Sequence, residues 1–394
     1  MRFYILYLIL FTGFAHSFVP EIEWHRQYNG SGEESHPHYV IETSDKSFVM
    51  IGETGFIDDK SAKIFVVKVS SRGRFLWRRE FGRLGYNLGN SVLETKDGNY
   101  VLAGCLGYDA ALLKIDAQTG SLIWKKTLNL GTEDAFESVI ETANGSLIAT
   151  GYRDGLAENT FINWGKGVLI KTTSEGDELW EKNISKFISS GYRLKLYKNH
   201  VYVAGHPFEE GAPNEHLLKL DLDGNLVWAK SFNSIYWGFD IDNHGNMLLT
   251  GHTRPTPMSE NWDIEAILLS PDGEVLWTKY FGQPRGYDGR WIHDEVWGVR
   301  ATPDGGWLLV AGTGDETNRY EENFHASGPS GEWKVYLIKL NADGDTDWEG
   351  VYGKKGTDWA GEDVCITSDG GALVANDTGR FGFTKIKPFI QQTK

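Results

Sequence analysis

Hydrophobic and polar residues fall along this chain in short runs that alternate or are apolar throughout, and no stretch sustains a helical period. The clearest unit lies at 91–126. Ser91-Val-Leu-Glu-Thr-Lys reads as a strand, Asp97-Gly98 as a tight turn, and Asn99-Tyr-Val-Leu-Ala-Gly104 as the returning strand. Asp-Gly suits that turn because the twist of the flanking strands demands positive φ. Ala111-Leu-Leu-Lys-Ile-Asp116, a turn at Gln118-Thr-Gly120 and Ser121-Leu-Ile-Trp-Lys-Lys126 supply two more strands. Four antiparallel strands of this kind make one propeller blade.

The unit recurs. Gly-x-x-x-Trp appears as Gly73/Trp77, Gly120/Trp124, Gly176/Trp180, Gly224/Trp228, Gly273/Trp277 and Gly344/Trp348. Counting from the isolated Trp24, subtraction of positions spaces these tryptophans 53, 47, 56, 48, 49 and 71 residues apart. A period of about 50 built from short strands is a propeller signature. The first turn returns at Asp45-Lys46, Asn144-Gly145, Asn199-His200, His244-Gly245, Asp304-Gly305 and Asp369-Gly370. A third-strand lysine returns at Lys68, Lys171, Lys219, Lys339 and Lys385, with Leu268 the exception. First strands counted from Tyr39, Ser91, Ser138, Arg193, Phe239, Val299 and Asp363 give seven blades. The seventh runs out of chain before its fourth strand, whereas Glu21-Ile-Glu-Trp24-His-Arg-Gln-Tyr28 carries the fourth-strand pattern alone. The expected fold is therefore all-β: one seven-bladed propeller of four-stranded blades, its last blade completed by the N-terminal strand. A tryptophan at a fixed place in every outer strand is expected to wedge against the next blade.

Residues 1–17 carry one arginine and then an apolar run of signal-peptide length, with small residues at Ala15 and Ser17 for cleavage. The expected organisation is a signal peptide over 1–17, a propeller over 18–394, and secretion to an extracellular or periplasmic space. The net charge of −15 argues against nucleic acid or an anionic membrane surface as partner. Two cysteines, Cys105 and Cys365, lie too far apart in the repeat order to suggest a disulfide. Asn29, Asn144, Asn183 and Asn376 head Asn-x-Ser/Thr triplets that could carry glycans in a eukaryotic host.

Both hairpin turns of each blade are short and share one face, so the long, variable connections emerge on the other. A ligand is expected there, over the central hole. Tyr287, Trp291, His293, Asp294, Glu295 and Trp297 cluster at the entry to blade six, an insertion from Asp315 to His325 extends that blade, Tyr236 and Trp237 enter blade five, and Trp359 and Glu362 enter blade seven. Aromatic rings beside carboxylates suit a carbohydrate, stacking on its apolar face and accepting from its hydroxyls. His206 and His252 follow the glycine of equivalent second strands. With Tyr152 and Arg254 they form the best acid/base set the sequence offers, while Asp294 and Glu295 are the pair a hydrolase would use. No metal is expected, since tight ligand spacing is missing and Asn341-Ala-Asp343-Gly-Asp345 coincides with a turn found in every blade. Glu42, Glu94 and Glu141 match in the innermost strands and are expected to form a hydrated acidic rim.

Asp116-Ala-Gln-Thr-Gly-Ser-Leu-Ile-Trp124 resembles the repeat of quinoprotein-like (PQQ-like) propellers, and the wider pattern is similar to secreted seven-bladed propeller-repeat proteins. Quinoprotein dehydrogenases of that group have eight blades, adjacent cysteines and a calcium-bound quinone. Seven blades and separated cysteines here carry no such cofactor over, so none is expected. The resemblance implies a fold and little chemistry. The functional expectation is a binding or scaffold protein recognising a carbohydrate or an extracellular protein on its long-loop face. The alternative is a polysaccharide lyase or glycoside hydrolase with its site on the same face.

Overall fold

The structure is a computed structural model that describes residues 18–55, 61–155, 165–206, 216–232, 234–254, 261–285, 292–314 and 332–390; for His206 and Ile235 only the backbone is described. These residues form seven antiparallel sheets of four strands each, with no helix among them. The blades run over 35–81, 87–128, 135–183, 190–230, 235–281, 293–352 and 360–386, and strand Ile22–Tyr28 supplies the outermost strand of the seventh. It pairs antiparallel with Phe381–Ile386, Trp24 opposite Lys385 and Tyr28 opposite Phe381. The expected seven-bladed β-propeller, closed by its N-terminal strand, is the fold observed.

The core lies between blades. Second strands such as Phe48–Thr54 and Tyr100–Leu106 are buried along their whole length, because each face is covered by a neighbouring sheet. One layer, for example, joins Val49, Ile51, Ile64 and Val66 of blade one to Tyr100, Leu102, Leu113 and Ile115 of blade two.

The recurrent residues fasten blade to blade. Six of the seven outer-strand tryptophans lie over the turn glycine of the following blade: Trp24 over Gly73, Trp77 over Gly120, Trp124 over Gly176, Trp180 over Gly224, Trp228 over Gly273 and Trp277 over Gly344. A Cβ on those glycines would come within 2.6–3.3 Å of the indole. The wedge is therefore real, although its depth varies. Trp77 and Trp348 are 6% exposed, whereas Trp24, Trp124, Trp180, Trp228 and Trp277 keep part of the ring in solvent. The third-strand lysines reach the first-turn aspartate where there is one: Lys68–Asp45 at 2.8 Å, Lys114–Asp97 at 2.6 Å, Lys339–Asp304 at 3.1 Å and Lys385–Asp369 at 3.0 Å.

The partly exposed glutamates of the expected acidic rim also link blades. Glu42 accepts the Ser368 N–H at 2.7 Å, Glu94 the Ser44 N–H at 2.7 Å, and Glu141 the Lys96 N–H at 2.8 Å. Each donor sits in the first turn of the preceding blade. These glutamates staple neighbouring blades together at the end of the channel away from the long connections. Two smaller points concern side-chain access. Asn376 is fully buried and accepts the Thr384 hydroxyl at 2.5 Å, which closes it to a glycan. Cys105 and Cys365 are separate buried thiols.

Candidate ligand site at the mouth of the channel

Each innermost strand begins at the long-connection face, three to six residues earlier than the sequence pattern marks, and each carries a bulge soon after it starts. The register slips between Pro37 and Tyr39, Gly89 and Ser91, Phe136 and Ser138, Gly191 and Arg193, Tyr236 and Gly238, Val296 and Gly298, and Gly361 and Asp363. One unpaired residue per blade is thereby turned off the ladder. The glycine ending the second strand makes room for this: a Cβ on Gly52, Gly104 or Gly151 would collide with the carbonyl oxygen of His36, Leu88 or Ala135 opposite.

The seven bulged residues form a ring of two halves. Blades seven, one, two and three contribute Glu362, His38, Asn90 and Glu137; blades four, five and six contribute Tyr192, Trp237 and Trp297. The aromatic half is continuous. Tyr192 meets Trp237 edge-on at 5.2 Å between centroids, and Trp237 meets Trp297 at 5.0 Å. In the polar half, the Asn90 amide donates to the Phe136 carbonyl at 3.1 Å, and His38 Nε2 lies 2.5 Å from Glu53 Oε2. Glu53 is buried, and its Oε1 has no hydrogen-bond partner. Beside it, His36 Nδ1 lies 2.5 Å from Asp377; burial opposes a charged ring there, yet Asp377 and then Glu53 and Glu34 lift it to about 9.

Below the ring lies a charged floor. Arg300 binds Asp363 through two 2.8 Å contacts, and Lys195 pairs with Asp240 at 2.8 Å. Tyr39 lies under both the Arg193 and Arg300 guanidinium groups, at 5.6 and 5.2 Å. Arg193 also stacks on Tyr192 at 4.2 Å and reaches across to the Trp297 carbonyl at 3.5 Å.

Two members of the ring stand out chemically. Glu137 and Glu362 are half-buried at the channel, and neither makes a protein hydrogen bond among the described residues. Burial raises Glu137 to about 7, against the pull of Arg193 and His38. Burial raises Glu362 well above the usual carboxylate range, with Asp377 adding to it. Both therefore hold a proton readily near neutral pH. Ionisable groups in a cleft whose titration is strongly shifted are characteristic of functional sites.

The residues singled out from the sequence divide. Trp237 and Trp297 belong to the ring, and Glu295 lies close enough to raise Glu362. His252 packs beside the aromatic half, 5.5 Å from Trp297 and 6.1 Å from Trp237; burial holds it down at about 3, and its Nε2 has no partner. Arg254 is exposed and covers Trp262 at 5.1 Å. His293 is half-buried where the innermost strand of blade six starts. Others are held inside the blades. The Tyr236 hydroxyl donates to Glu265 at 2.6 Å, Trp359 stacks on His25 at 4.2 Å, and Tyr152 packs with Tyr86 and Cys105. Asp294 is 1% exposed and accepts the Gln283 N–H at 2.7 Å. Tyr152 lies in blade three and His252 in blade five, with blade four between them. Tyr287, Trp291, the 315–325 insertion and the His206 side chain lie outside the described residues. Sequence reasoning missed His38, Asn90, Glu137, Tyr192 and Arg193. The signal that could have found them was there: each bulged residue stands immediately before, or two before, the positions from which first strands were counted.

No protein-family model and no curated protein matches the chain. Solved structures do match in fold. A catalytically inactive virginiamycin B lyase from Staphylococcus aureus, bound to quinupristin, is 11% identical at a TM-score of 0.55, over 92% of this chain and 99% of that one. The extracellular domains of Drosophila Semaphorin 1b are 8% identical at a TM-score of 0.52, over 93% and 87%. The β-propeller domain of the Trilobed protease from Pyrococcus furiosus, described as having an open velcro topology, is 13% identical at a TM-score of 0.51, over 92% and 97%. At these identities the likeness is one of fold.

Proposed function

We propose that this propeller is a secreted carbohydrate-binding protein whose site is the mouth of the central channel on the long-loop face. The observation that carries the reading is the divided ring: three contiguous aromatic side chains, Tyr192, Trp237 and Trp297, facing Glu362, His38, Asn90 and Glu137. An apolar sugar face stacks on Tyr192 and Trp297, which keep part of their rings in solvent, with Trp237, 4% exposed, packed between them, while hydroxyls hydrogen-bond to the second half. An extracellular protein partner is the neighbouring possibility, as the fold-similar structure of Drosophila Plexin A in complex with Semaphorin 1b illustrates. The test is a glycan array followed by calorimetry on the hit. Trp297→Ala should weaken binding at least tenfold with the fold intact by circular dichroism; an array without hits, or unchanged affinity in the variant, sinks the reading.

A second reading is supported by Glu137, Glu362 and the unpartnered His252 Nε2, which suit acid/base chemistry on a polysaccharide held in the same channel. Reducing-end release or a rise in absorbance at ~235 nm on incubation with polysaccharide, abolished in Glu362→Gln, would establish a hydrolase or a lyase in place of a binder.

A further inference from the structure

We infer that the floor of the channel is a carboxylate-binding subsite built on Arg193, so that the sugar taken at the mouth is acidic, a uronate. This rests on the carbohydrate reading above and narrows it to a ligand class. Arg193 is 4% exposed, yet among the described residues it has no carboxylate within ion-pair distance. Its Nε is sheltered without an acceptor, and its one hydrogen bond is the 3.5 Å contact to the Trp297 carbonyl. The other cations of the floor are satisfied, Arg300 by both oxygens of Asp363 and Lys195 by Asp240.

A guanidinium this sheltered, with no carboxylate beside it and its Nε shut from solvent without an acceptor, is costly unless a partner arrives from outside. The aromatic rings of Tyr192 and Tyr39 hold the guanidinium in place, leaving its planar fork free to take a carboxylate through two parallel hydrogen bonds. The neighbouring carboxyls oppose this less than ionised ones would: burial raises Glu362 well above the usual carboxylate range, so that it offers an O–H to a sugar acid, and raises Glu137 to about 7, where half of it is protonated at neutral pH.

The experiment is calorimetry on the folded chain with three trisaccharides, of galacturonate, mannuronate and guluronate, each as the free acid and as its methyl ester. At least one acid should bind tenfold or more tighter than its ester, and the gap should narrow as salt rises. Arg193→Met should abolish the gap without changing affinity for the ester. Arg193→Lys should keep part of the gap, and serves if the methionine variant does not fold. Equal binding of acid and ester, or an acid preference that survives Arg193→Met, overturns the subsite while leaving carbohydrate binding in place. Failure of all six compounds to bind the folded wild-type chain overturns the subsite; if a neutral-glycan array is also blank, the broader reading falls with it.

Discussion

Asp294 shows how much a single position can hold that its letter does not reveal. In the sequence it sits among aromatic and acidic residues and resembles a surface ligand group. In the fold it is shut between blades, and burial, with Asp263 nearby, raises its carboxyl to about 8. A carboxyl whose folded pKa exceeds its unfolded value of about 3.9 favours folding most below that value, and the contribution is lost as pH rises from about 4 to about 8. Asp294→Asn removes the titration but keeps an acceptor for Gln283 N–H. Its melting temperature relative to wild type should therefore climb between pH 5 and pH 9. Curves that stay parallel across that range would remove the buried-acid assignment. Arg193 makes the opposite case. In the sequence it is one basic residue at a strand start; only closure of the ring brings Trp297 of a distant blade against it and leaves it otherwise unpaired.

At the level of the element, the repeat was legible because it answers to local needs. A turn requires positive φ, an outer strand requires a large ring, and a third strand buried on both faces requires apolar residues. The Gly-x-x-x-Trp motif also encodes an interlock between blades, which a single repeat cannot reveal. Gly98 and Gly120 separate the two roles. Both have positive φ, at 80° and 69°, but a Cβ on Gly98 meets nothing within 4 Å, while one on Gly120 would lie 2.9 Å from the Trp77 ring. Gly98→Ala should cost about 1 kcal/mol for backbone strain alone. Gly120→Ala should cost that and about 1–3 kcal/mol more for overpacking, read as a shift in urea midpoint. Equal shifts would mean that the indole yields and the interlock carries no energy. The bulges were illegible for the converse reason. The unpaired residue is His, Asn, Glu, Tyr, Trp, Trp and Glu in turn, so no single type marks the position. In blades one to five the residue before it pairs with a second-strand glycine, but Ala311 and Asn376 take that place in blades six and seven.

At the scale of the whole molecule, the interlock has to be completed at one place where the chain is broken. Six tryptophans cover the turn glycine of the next blade, but blade seven has no such turn, because its third and outermost strands come from opposite ends of the chain. Trp348 would be left uncovered. Phe389 takes the place of the missing turn, edge-on to Trp348 at 5.1 Å, and the Phe389 and Ile390 N–H groups both donate to the Gly370 carbonyl at 2.9 and 3.0 Å. Lys387 N–H donates to the Glu21 carbonyl at 3.0 Å, and its ammonium meets the Glu21 carboxylate at 2.6 Å, tying this segment to the N-terminal strand. Ile22, Trp348 and Phe389 pack in one cluster. Removing 388–394 should therefore loosen the seam before the rest of the ring. Amide exchange should quicken in 22–28 and 381–386 while blade three keeps its protection, because a region opens more readily when its own packing is removed. Exchange that quickens evenly in all blades would mean that the ring opens as one body and has no seam.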